Sequence, residues 1–81
     1  MGHDRMKDFN ALVTEHLKVE PGKIADHLTP HDVPDWNSMN YLLFISELEN
    51  EYGISFSMDE VLGVRSLKDV KKALIHKGIL L

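Results

Sequence analysis

The chain has 81 residues, 43% of them hydrophobic, a formal charge of −4, five histidines and no cysteine. That length makes a single domain, residues 1–81, near the lower limit of what one apolar core can hold together. Without thiols, disulfides, thiolate zinc sites and a thiol nucleophile of the chain's own are excluded. The longest apolar run, residues 41–45, is too short to cross a bilayer, and no signal peptide is visible, so a soluble, cytoplasmic protein with no membrane role is expected.

The charge is unevenly spread. Residues 1–18 balance, residues 19–62 carry nine acids against Lys23 for a net −8, and residues 63–81 carry five bases against Asp69 for a net +4. An acidic middle argues against nucleic acid as a partner and favours basic protein surfaces. The opening Met-Gly-His is given no role.

In chain order, residues 4–18 place Met6, Phe9, Val13, His16 and Leu17 at helical spacing, and Pro21–Gly22 breaks the pattern. Residues 19–37 form a long connection punctuated by three prolines, with Ile24, Leu28 and Val33 expected to pin it to the core. A loop of that length is uncommon in a small domain unless it serves a function. A second helix is predicted from Ser38 to Tyr52, closed by Gly53 in a left-handed cap. Ser57 and Glu60 have capping-box spacing for a short helix through Leu62, stopped by Gly63. Ser66 opens a last helix with Leu67, Val70 and Leu74 facing inward and Gly78 as its C-cap, with Ile79 folding back on the final turn. Ile54-Ser55-Phe56 is too short to pair convincingly as a strand. The expected fold is all-α: a small bundle of three main helices plus one short helix.

On the second helix, Tyr41, Phe44, Ile45, Leu48 and Tyr52 fall on one stripe when residues are placed about 100° apart. Met39, Leu42 and Leu43 miss that stripe. Either neighbouring elements cover them, or they form an exposed apolar patch rimmed by acids that suits protein docking. Ser38 stands at the junction. A hydroxyl there is commonly an N-cap. As a hydrolase nucleophile it lacks a G-x-S-x-G frame. A helix N-terminus is, however, a good place to hold a phosphate, because free amides and the helix dipole both favour an anion.

The order and spacing of these segments resemble acyl carrier proteins over nearly the whole chain. The family pattern is an apolar helix, a long loop, then Asp-Ser-Leu opening a second helix that ends in Glu-Glu-Phe-Gly-Ile. Here the corresponding stretch reads WNSMNYLLFISELENEYGISFSMDEV, and VRSLKDV matches the start of the last helix. The resemblance implies a carrier, not an enzyme, with Ser38 as the attachment point for 4′-phosphopantetheine, transferred from coenzyme A by a phosphopantetheinyl transferase. The arm's thiol would carry acyl groups as thioesters, which accounts for thioester chemistry in a cysteine-free chain. Asn37 stands where the family has Asp, and Asp35 is the acid that could substitute for it in transferase recognition. Trp36, Met39, Leu42, Leu43, Glu47 and Glu49 are the expected docking residues for acyl-loading and acyl-transferring enzymes with basic docking faces. Leu43 stands where the family commonly has an acid.

The Trp-Asn-Ser-Met motif looks like that of specialised carriers, serving a specialised fatty-acid, polyketide or related pathway. Ile45, Leu48, Val61 and Leu62 either line a cargo pocket between the second and third helices or simply make the core. His27 and His31 lie four apart around Pro30, which breaks the helical spacing a metal pair needs, and no metal site is expected. A monomer is expected. Two other readings stay open: an aminoacyl or peptidyl carrier, and an unmodified carrier-like interaction module.

Overall fold

Apolar residues three and four apart, broken by Gly, Pro and short polar side chains, fold into four α-helices. In the computed structural model, which describes residues 8–80, these are α1 (Phe9–Leu17), α2 (Ser38–Tyr52), α3 (Met58–Gly63) and α4 (Leu67–His76), with a 3-10 turn at Pro21–Lys23. No strand occurs among the described residues, and Ile54 and Phe56 pack against the core from an irregular segment.

The helix ends follow their local chemistry. Asp8 caps α1, its Oδ1 accepting from the Ala11 amide at 2.7 Å. Residues 4–7, including Met6, were expected to belong to this helix and lie outside the described residues. α1 stops earlier than the Pro-Gly pair would require, because Lys18 turns left-handed at φ 59°. That conformation costs a non-glycine residue about 1–2 kcal/mol. The Lys18 amide still donates to the Thr14 carbonyl and its Nζ to the Glu15 carbonyl, so two of the helix's terminal oxygens are satisfied.

Gly53, at φ 64°, closes α2 as expected. Ser57 and Glu60 form the reciprocal capping box on α3. At the end of α4, the amides of Gly78 and Ile79 donate to the carbonyls of Ile75 and Leu74, a Schellman closure that requires the positive φ of Gly78.

α4 begins differently. Its cap residue Ser66 makes no side-chain capping bond. Instead the first amides of the helix, those of Leu67 and Lys68, donate to the Leu28 and Asp26 carbonyls of the long loop, each at 3.0 Å. Lys71 Nζ then bridges to Asp26 Oδ1 at 2.8 Å, holding that carboxyl below its usual pKa. The long connection is thus fastened to the last helix by its main chain and pinned inward by Val33, Ile24 and Leu28.

The core sits between α1, α2 and α4, with Leu12, Val13, Leu17, Phe44, Leu48, Leu67, Val70 and Leu74 fully buried. The rings of Phe9 and Phe44 meet edge-to-face with centroids 5.8 Å apart, an arrangement favoured by their quadrupoles. Val19 and Trp36, both from the loop, join this cluster. Truncating the central ring in Phe44→Ala should cost about 3–5 kcal/mol, read as a fall in unfolding free energy in a urea titration.

Candidate functional site

Ser38 occupies the first turn of α2, and the helix cap is Asn37. The Asn37 Oδ1 accepts from the Asn40 amide at 2.8 Å, and its carbonyl accepts from the Tyr41 amide at 2.9 Å. Asparagine is among the best capping residues, so the serine is relieved of that duty. Ser38 is exposed, and its hydroxyl makes no hydrogen bond to any described residue. The amides of Ser38 and Met39 likewise find no acceptor among the described residues, leaving two donors at the positive end of a 15-residue helix. Asn40 Nδ2 donates to the Asp35 carbonyl at 2.8 Å, which ties the approaching loop to the first turn. Asp35 and Asn37, the residues expected to face a transferase, are both exposed beside the serine.

The helix face that follows Ser38 is apolar and open. Met39 is 71% exposed, Leu42 56% and Leu43 52%, so neighbouring elements do not cover them. Two of the expected docking residues are engaged within the chain. Trp36 is only 7% exposed, its ring stacked on Tyr41 with centroids 6.1 Å apart. An indole in a surface loop is large enough to roof the core, and this one does. Glu49 is committed within the chain: its Oε2 accepts from the Phe56 amide at 2.8 Å, staging the turn after Gly53. Glu47 is partly exposed on α2.

Beside Ser38 a shallow groove of about 460 Å³ runs between α2 and α3, lined by Pro30, Trp36, Asn37, Ser38, Tyr41, Val61, Leu62 and Val64. Of the four residues weighed as a cargo pocket, Ile45 and Leu48 are core, Val61 is half-buried in the groove wall and Leu62 is exposed. The floor of the groove is Tyr41. Its hydroxyl donates to the Val61 carbonyl at 2.6 Å. That carbonyl belongs to the last turn of a helix ending at Gly63, where it has no helical partner. The amide of Arg65, which a longer helix would have directed at it, donates to Asp69 Oδ2 instead. Sequence periodicity could place Tyr41 on the inner stripe but could not supply this partner, which depends on where α3 stops.

Among the described residues no three His, Asp or Glu side chains converge as metal ligands, and no helix is long and apolar enough to cross a membrane.

No family model matches the chain. It is similar to an acyl carrier protein from Zymomonas mobilis, 27% identical over 66 residues that make up 82% of this chain and 85% of the relative. Its fold matches a solved structure of a candidate acyl carrier protein from Mycobacterium tuberculosis with a TM-score of 0.76, at 23% identity, over 85% of this chain and 92% of the other. Both similar proteins are described as acyl carrier proteins.

Burial pushes the Tyr41 phenol up to about 12. The neutral, donating form is therefore favoured by folding, so its stabilisation is complete below the ordinary phenol pKa of 10.0 and is lost as pH rises through about 12. An ultraviolet titration of tyrosinate should show a late component that disappears in Tyr41→Phe, together with a fall in the wild-type melting temperature above pH 10.

Proposed function

We propose that the chain is an acyl carrier protein, bearing 4′-phosphopantetheine on Ser38 and delivering acyl groups to partner enzymes in the cytoplasm. The observation that carries this reading is the exposed Ser38 hydroxyl at the start of α2, unpaired among the described residues, with the capping duty taken by Asn37. The sequence and fold likenesses to acyl carriers support it independently.

The residues present suit a phosphodiester at that oxygen. The uncommitted amides of Ser38 and Met39 are donors within one turn of it, and the helix dipole favours the negative charge. No acid in the first turn of α2 opposes it. Once attached, the arm supplies a thiol that holds acyl groups as thioesters, which the chain itself has no cysteine to do. A tethered cargo meets each docked partner at high effective concentration, so modest docking affinity suffices.

Docking is assigned to the exposed face beside the serine. Met39, Leu42 and Leu43 provide apolar contact. Glu47 steers a basic partner surface, acting on encounter rate more than on affinity. Asp35 and Asn37 flank the serine where a phosphopantetheinyl transferase must approach, and a neutral residue at 37 selects transferases that do not require an acid there. The Trp-Asn-Ser-Met attachment sequence and the oily face at Leu43 fit a specialised biosynthetic pathway.

Incubation with coenzyme A and a promiscuous transferase should add one phosphopantetheine by intact mass, and Ser38→Ala should abolish the gain; a wild-type chain that gains nothing is an unmodified interaction module. Reversing charge in Glu47→Lys should slow acyl transfer to a partner several-fold while leaving the melting curve unchanged, and an unaltered rate would remove Glu47 from the docking face.

A further inference from the structure

We propose that Tyr41 is a specificity-determining latch that keeps cargo in the outer groove and out of the helical core, so that the chain carries short acyl groups and does not engulf long alkyl chains. The inference rests on attachment at Ser38 as argued above.

The geometry points there because the route from Ser38 into the bundle passes between α2 and α3, and Tyr41 spans that seam. Its ring lies one helical turn beyond the serine, backed by the nearly buried Trp36, and its hydroxyl is fixed to the Val61 carbonyl. Admitting an alkyl chain requires breaking that bond and stranding an α3 carbonyl that has no helical partner. It also requires displacing the stacked indole. Behind the latch the interior is taken up by Phe44 and Leu48 of α2 and Leu67 of α4, all fully buried.

α3 is also tied to the end of α4. Glu60 Oε1 receives both the Ser57 amide and Lys77 Nζ at 2.8 Å, and Lys77 also sits 5.3 Å from the centre of the Phe56 ring. The short helix is thus clamped at both ends against the outward movement that a lengthening cargo would demand. What remains outside is a groove of about 460 Å³ whose walls, Pro30, Val61, Leu62 and Val64, suit the arm and a small cargo.

A carrier that buries its cargo gains stability with each added methylene, since apolar area leaves water. A latched carrier gains none beyond the groove. The test loads wild type, Tyr41→Phe and Tyr41→Ala with butanoyl, octanoyl or dodecanoyl phosphopantetheine from the matching acyl-coenzyme A, verifies loading by intact mass, and records melting temperature and Trp36 fluorescence for each. Wild type should melt at one temperature across the series with unchanged Trp36 emission. Tyr41→Ala should rise in melting temperature with chain length, and Tyr41→Phe, which removes only the hydroxyl, should rise by a smaller amount. Should Tyr41→Ala not fold, the wild-type and Tyr41→Phe series decide the matter. Loading followed by stepwise stabilisation of wild type, or identical behaviour of wild type and the variants, overturns the latch and leaves attachment at Ser38 standing. No mass gain in any protein overturns both.

Discussion

Two main-chain hydrogen bonds, from the first amides of α4 to the Asp26 and Leu28 carbonyls, hold the rest of the molecule in register. Ordering the long connection between α1 and α2 carries a backbone entropy cost of about 1–2 kcal/mol per residue, which Val19, Ile24, Leu28, Val33 and Trp36 offset in part by packing on the core. By lending its carbonyls to amides that every helix start leaves orphaned, the loop satisfies its own polar groups and α4's together. Val33 and Trp36 then pack inward from a chain already fastened. The loop so fastened ends in a buried Trp36 and leads into an exposed Ser38.

The same economy of polar groups recurs at the site. Asn37 caps α2 through its side chain and its carbonyl, Asn40 reaches back to the Asp35 carbonyl, and Tyr41 takes the carbonyl that α3 leaves open. Each bond is worth about 0.5–1.5 kcal/mol net, but their placement matters more than their sum. They immobilise everything around Ser38 except its own hydroxyl.

Helix types and order were legible in the sequence because periodicity and punctuation agree along most of the chain. α2 ran from Ser38 to Tyr52 as its stripe and Gly53 required, and the capping box of α3 and the glycine closure of α4 formed as their spacing dictated. The exposed trio Met39, Leu42 and Leu43 was legible as residues that miss the stripe, though not whether something would cover them. What escaped was whatever depends on tertiary neighbours. Trp36 reads as an odd loop residue until Tyr41 is seen stacking on it. Glu49 reads as one more surface acid until the chain turns and offers it the Phe56 amide. The end of α1 at Lys18 was legible, but not the left-handed turn that makes it, since lysine has no sequence signature for that region comparable to glycine. The cap at Asn37 could have been found, since asparagine is as good a capping residue as serine.

α3 contributes no fully buried side chain to the core and is held by its polar ties and the partial burial of Val61 and Val64. Energetically the protein is therefore a three-helix body to which α3 is fastened by named polar bonds: Tyr41 to the Val61 carbonyl and Lys77 to Glu60. Stability in such a molecule is graded rather than uniform, and the hold on α3 depends on directional bonds where the other three helices depend on buried apolar area.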